Sequence, residues 1–148
     1  MNQPFFLLCA FCALSCTALA SPAVENAAVI KTVSGTVSVI RHNAPLENVG
    51  EGTPLFAADA VRTGKTGSVG IGFRDGTRIS LGPDSAFTVS DYRFRPAEKS
   101  FSFRLYMQKG SMVYASGKLG KLDPEAVRIA TPQGTVGIRG TKLLIKVE

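Results

Sequence analysis

With 148 residues and a formal net charge of +6, the chain has room for one domain and little for two. Its three cysteines, Cys9, Cys12 and Cys16, all precede position 20, so removal of that stretch excludes disulfides, thiolate metal sites and a cysteine nucleophile from the remainder. The one histidine, His42, sits in a His-Asn-Ala-Pro loop, which leaves a zinc site or a Ser-His-Asp triad without its usual parts.

The first predicted element is a leader. Phe5 to Ala20 is apolar apart from Ser15 and Thr17 and carries no charge, and it is short beside the about 20 apolar residues of a spanning helix. It closes on Ala18-Leu19-Ala20, the small-x-small pattern that signal peptidase cuts, ahead of Ser21 and Pro22. The expectation is a cleaved signal peptide over residues 1–20, a periplasmic location, and a mature chain that starts at Ser21 without a transmembrane segment. Met1 to Pro4 contains no Lys or Arg, so an uncleaved anchor or a buried N-terminal helix stays open, as does lipidation at Cys16.

Beyond the leader, period two governs the pattern. Val37 and Val39 alternate with Thr36 and Ser38, and Val69, Ile71 and Phe73 alternate with Gly70, Gly72 and Arg74. Asp75-Gly76 then predicts a type I′ hairpin turn, in which both central residues take positive φ. Ile79 and Leu81 resume the alternation, so residues 68–82 read as one hairpin. Gly82-Pro83-Asp84 makes the next turn, ahead of Phe87 and Val89. Phe101, Phe103, Leu105 and Met107 share one parity against Ser102, Arg104 and Tyr106. Lys109-Gly110 is expected to close that strand, and Met112 to Tyr114 to begin a return strand. Asp123-Pro124-Glu125 predicts one helical turn, with Asp as cap and Pro at the first position. Strand pattern resumes at Val127 and Ile129, at Val136 and Ile138, and over Leu143 to Val147. The expected domain, residues 28–147, is all-β: a compact sandwich or β-roll of short antiparallel strands and glycine-rich hairpins.

Little in this pattern serves chemistry. Gly64-Lys65-Thr66 matches the tail of a phosphate-binding loop, but Asp59 stands where its first glycine belongs and a strand follows in place of a helix. Asp59, Asp75 and Asp84 lie beside turn-forming residues, where a structural role is favoured. No catalytic, metal-binding or cofactor-binding residue is assigned, and no cofactor is expected. Charge is the more informative feature. Between Arg93 and Lys121, seven basic residues (Arg93, Arg95, Lys99, Arg104, Lys109, Lys118, Lys121) meet one acid, Glu98. Such a stretch is either a solvated face or a docking surface for an acidic partner. Parity sets Arg104 and Tyr106 opposite Phe103 and Leu105, and Arg93 and Arg95 opposite Tyr92 and Phe94. A basic face with an aromatic ring attracts phosphate or carboxylate while stacking on a partner, which makes Arg93, Arg95, Arg104 and Tyr106 the candidate binding residues.

Two longer patterns remain. One is Leu-Phe-Ala-Ala-Asp-Ala-Val-Arg-Thr-Gly at 55–64, running on to Ile-Gly-Phe-Arg-Asp-Gly-Thr at 71–77. The other is Ala-Thr-Pro-Gln-Gly-Thr-Val-Gly-Ile-Arg-Gly-Thr at 130–141. Together they resemble the FecR domain, whose members show G-D-x-V-R-T-G, a strand ending in D-G-T, and a terminal T-P-x-G…V-R-G-T. The residues that carry the resemblance are Asp59, Arg62, Gly64, Asp75, Gly76, Pro132, Gly134, Arg139, Gly140 and Thr141. The resemblance implies an extracytoplasmic β-rich domain. In the best-known members it is joined to a transmembrane helix and a cytoplasmic segment that regulates a sigma factor, and it relays a signal from an outer-membrane iron transporter. This sequence departs in having Ala58 for the usual glycine, in showing no spanning helix or cytoplasmic segment, and in stopping soon after Thr141, where many members add a glycine-rich hairpin. The motif residues are expected to be structural, with the glycines in turns and bulges, Pro132 starting an edge, and Arg62 and Arg139 paired with Asp59 or Asp75 inside the fold. The implied function is an exported envelope interaction module, regulatory or signal-related and non-catalytic. Its partner would be an envelope protein or polymer, with no DNA expected in the periplasm. The alternative is a polyanion binder, for lipopolysaccharide, cell-wall polymer or nucleic acid, that uses segment 93–121.

Overall fold

The computed structural model describes residues 24–148. The expected signal peptide over 1–20, the Ser21 start and Cys16 lie outside the described residues. Twelve strands follow in chain order: β1 (Ala28–Ser34), β2 (Val37–Arg41), β3 (Ala44–Pro45), β4 (Pro54–Leu55), β5 (Ala60–Thr63), β6 (Ser68–Phe73), β7 (Arg78–Leu81), β8 (Ala86–Arg95), β9 (Ser100–Ala115), β10 (Val127–Thr131), β11 (Gly134–Gly137) and β12 (Lys142–Val147). A short helix, α1 (Lys118–Leu122), and two 3-10 turns complete the set. The fold is all-β, as the alternation predicts.

The twelve strands form one open sheet that doubles over through its longest strand. The first layer has the order β4-β1-β6-β7-β9-β12, and the second β3-β2-β5-β8-β9-β10-β11. β9 belongs to both. Its residues up to Lys109 pair with β8, and Gly110 to Ala115 pair with β12. Gly110 is therefore a corner within one strand and not the close of a hairpin, which corrects the sequence expectation. The physical reason is the close approach of Ser85. Gly110 has φ +96, and a Cβ there would lie 2.4 Å from the Ser85 Cα. Buried parity changes across the corner, from Phe103, Leu105 and Met107 to Met112 and Tyr114, so both halves of β9 face one core.

That core is continuous between the layers. Phe73 of the first layer meets Phe103 of the second edge-on at 4.7 Å between ring centroids, and Tyr92 lies 5.2 Å from Phe103, distances at which aromatic pairs add to the burial of their area. One junction is parallel: β10 runs alongside β9 with Val127 beside Phe103 and Arg128 beside Arg104. Parallel neighbours cannot be joined by a tight turn. Helix α1 and the 3-10 turn at Pro124–Ala126 supply the crossover, with Asp123 accepting from the Ala126 N–H at 3.2 Å.

The Asp75-Gly76 turn also differs from expectation. Gly76 has φ +87, but Asp75 is not left-handed. Gly76 N donates to Phe73 O at 3.0 Å and Phe73 N to Thr77 O at 2.8 Å, the pattern of a longer loop that ends in a glycine bulge. A left-handed Asp75 would aim its carboxylate elsewhere; here it turns inward and is buried. The two-residue turn with both φ positive occurs instead at His42-Asn43, between β2 and β3, and leaves His42 exposed.

Candidate functional site

Two of the motif residues are internal clamps. Asp59 is buried where the chain enters β5, and its carboxylate accepts from Arg41 Nε at 2.9 Å, Arg41 Nη2 at 2.6 Å and Phe56 N at 2.9 Å. Arg41 also donates to Pro54 O at 2.8 Å and lies 4.6 Å over the Phe56 ring. The hydrogen-bonded Asp59 raises the guanidinium above its ordinary value, against a smaller opposing effect of burial. Asp75 accepts from Thr77 Oγ1 at 2.6 Å, the Tyr92 hydroxyl at 3.1 Å and the Leu119 N–H at 3.1 Å, which ties the β6–β7 loop to β8 and α1. Burial, and then the nearby Asp75 charge, push the Tyr92 hydroxyl well above the usual phenol range.

Arg62 and Arg139 pair with neither aspartate, which corrects the sequence expectation. Arg62 lies between buried Val61 and Thr63, so alternation turns it outward. The Arg139 side chain is 82% exposed, and its ion-pair partner among the described residues is Glu125, at 3.5 Å. The remaining motif positions are backbone devices. Gly64 N donates to Thr36 O, and Gly64 O accepts from Gly67 and Asp84. Pro132 and Gly134 border the exposed β10–β11 turn, and Gly140 and Thr141 lead into β12, where Thr141 O accepts from Ser116 N at 2.9 Å.

The four candidate binding residues share one surface, the outer face of the second layer. Arg93, Arg95 and Arg104 are exposed there and Tyr106 is half-buried. Strand register lays the face out in rows. Tyr106 stands in a row that runs Ile40, Ala60, Thr88, Tyr106, Ala130, Thr135 across six strands. The next row is Asp91, Arg104, Arg128, Gly137. Then Arg93 faces Ser102 and Arg95 faces Ser100. From Tyr106 to the Arg95 row is about 20 Å at roughly 3.3 Å per residue. The residues therefore form a stripe, not a single pocket. At its far end a cavity of about 350 Å³ opens between Arg93, Phe94, Arg95, Arg74 and the Val24-Glu25 segment.

Arginines outnumber acids on this face. Asp91 accepts from Ser102 Oγ at 2.6 Å, and Arg95 reaches Glu98 at 3.5 Å. Among the described residues, no acid lies within ion-pair distance of Arg62, Arg93, Arg104 or Arg128. Arg128 is a member that sequence reasoning missed. Its outward parity between Val127 and Ile129 was legible, but its place beside Arg104 depends on the parallel β9–β10 pairing. Among the described residues, no cluster of His, Cys, Asp or Glu is placed to hold a metal ion.

Comparison with known proteins gives one match. The family model described as FecR protein covers residues 59–148, well over half of the chain and everything from the Asp59 clamp onward. No curated protein and no solved structure matches the chain.

Proposed function

The chain belongs to the FecR protein family, and we propose that it is a non-catalytic envelope interaction module that docks an acidic protein partner on the outer face of its second layer. Domains of this family occur in envelope and periplasmic regulators and are generally non-enzymatic, which supports a regulatory or signalling-related role. No helix among the described residues is long and apolar enough to cross a membrane. The leader predicted over residues 1–20 accords with work in the periplasm.

One observation carries the docking face. Arg104 and Arg128 stand directly beside each other across β9 and β10; Asp91 flanks Arg104 on the β8 side, but among the described residues no acid is within ion-pair reach of either arginine. Like charges in neighbouring strand positions are destabilising, and an anionic partner removes that cost while gaining forked, two-point hydrogen bonds from each guanidinium. Tyr106, one row away, adds a flat amphipathic surface of the kind enriched at protein interfaces. The motif aspartates support a structural role and take no part in docking.

The test is affinity capture from the host envelope, with mass-spectrometric identification. It compares the parent with the variant Arg93→Glu, Arg95→Glu, Arg104→Glu, Tyr106→Ser, after circular dichroism shows an unchanged fold. The partner should be lost from the variant; identical partners on both would mean that the face is merely solvated. The same arginine forks favour a second reading, a phosphate-bearing polymer. Such a ligand would lose affinity steeply and log-linearly with salt as counterions are released, whereas a protein partner with an apolar contribution would retain most of its binding.

A further inference from the structure

Sheet edges present unpaired N–H and C=O groups, and proteins blunt them with short strands, prolines, bulges and charged side chains, lysine above all. Three of the outer strands here are blunted. β3 has two residues and ends in Pro45, β4 has two residues and begins with Pro54, and β11 is bracketed by Gly134 and Gly137. β12 is guarded by Lys142 and Lys146 alone. It runs six residues, Lys-Leu-Leu-Ile-Lys-Val, without proline or glycine, and among the described residues β9 is its only strand partner. Leu144 in its middle is 70% exposed and lies beside the exposed Val113 of β9.

Hydrogen-bond parity says which groups are free. Ser116 N donates to Thr141 O, and Ser111 O accepts from Gly82 on the opposite side of β9. In an antiparallel ladder, residues turn their main-chain groups alternately to one side and the other. Leu143, Ile145 and Val147 therefore face β9, whereas Lys142, Leu144 and Lys146 present their N–H and C=O groups to the open edge.

We propose that this edge pairs with the same edge of a second copy of the chain, antiparallel about a two-fold axis at Ile145. The occupant follows from charge. Centring the pair on Ile145 sets Lys142 opposite Glu148 of the other copy, twice by symmetry, and lays Leu144 along the aliphatic stem of Lys146. Centring it on Leu144 would set Lys142 against Lys146, a like-charge pair in each half, so the lysines select the first register. The Ile145-centred pair forms about eight main-chain hydrogen bonds, two per outward pair. It also covers Leu144. An isologous contact of this kind closes on itself, and the blunted edges elsewhere offer no second strand for growth into a filament. One strand pair buries less than the roughly 800 Å² per partner of a standard interface, so the dimer is weak, with Kd between about 10 μM and 1 mM.

Sedimentation equilibrium of the protein, purified as its cells make it, should show a monomer–dimer equilibrium in that range. Leu144→Pro removes an N–H that faces the open edge and none that β9 uses, so it should raise Kd by about tenfold or more with the fold intact. Glu148→Lys should weaken the dimer by losing both cross-copy ion pairs, and the swap Lys142→Glu with Glu148→Lys should restore it. This charge series keeps the test independent of how well the proline is tolerated. A protein that stays monomeric to 1 mM overturns the proposal. So does a dimer that Leu144→Pro and Glu148→Lys both leave unchanged, which would put the contact on another surface, the basic face included.

Discussion

Asp59 and Asp75 are equally buried, yet one takes a cation and the other only hydrogen-bond donors. That the two would be structural was legible from their turn-forming neighbours. The identity of the Asp59 partner was not, because Arg41 is 18 positions away and reaches it only through the β2–β5 pairing. Arg41→Ala strands a buried carboxylate and should cost about 3 kcal/mol, at the low end for a broken buried pair because part of Arg41 stays in water. Arg139→Ala should change stability by less than about 0.5 kcal/mol. Chemical denaturation of the two variants checks both numbers, and a large loss at Arg139 would refute its exposed placement. Ala58 is a second residue-scale case. It has φ +74 with its N–H held by Val89 O, a conformation that penalises a Cβ, so Ala58→Gly should stabilise by about 0.5–1 kcal/mol despite the entropy of glycine. Tyr92 gives a pH signature. Its raised value in the fold means that the unfolded chain loses the proton first, so this contribution is whole below about pH 10 and lost as pH rises beyond it. Tyr92→Phe should flatten the alkaline loss of stability, leaving the part due to Tyr114, which burial also raises. Parallel losses in parent and variant would contradict this assignment.

At the scale of elements, alternation was the reliable signal and turn identity the unreliable one. Phe103, Leu105 and Met107 face the core as their shared parity requires, and Phe101 lies only partly buried near the strand's start. What alternation cannot report is whether a glycine ends a strand or bends it. At Gly110 the answer depends on Ser85, whose hydroxyl donates to Ser111 O at 3.2 Å and accepts from Ser111 N at 3.1 Å. That contact spans 26 positions and has no local trace. Gly110→Ala adds a Cβ at positive φ against the Ser85 backbone and should destabilise by about 3 kcal/mol, from conformational strain and overpacking together. A melting temperature equal to the parent's would mean that the corner is not held as described. Helix α1 went unread for a related reason: five residues are too few to show a helical period, and it exists to serve the crossover into β10.

For the whole molecule, the second layer gathers arginines from β5, β8, β9 and β10 onto one face. Parity alone turns Arg93, Arg95, Arg104 and Tyr106 outward, and the β8–β9 pairing joins them on that face. Sequence could not add Arg128 and Arg62, because parity says in or out and never which strands are neighbours. Docking of an acidic partner on this face can be read without knowing the partner. Arginine modification by phenylglyoxal, mapped by peptide mass spectrometry, would compare the protein alone with the protein in envelope extract. Arg78, exposed on β7 of the first layer, serves as internal control. Docking on this face predicts that Arg93, Arg104 and Arg128 become protected in extract while Arg78 labels unchanged. Equal labelling of all four, with and without extract, would contradict it.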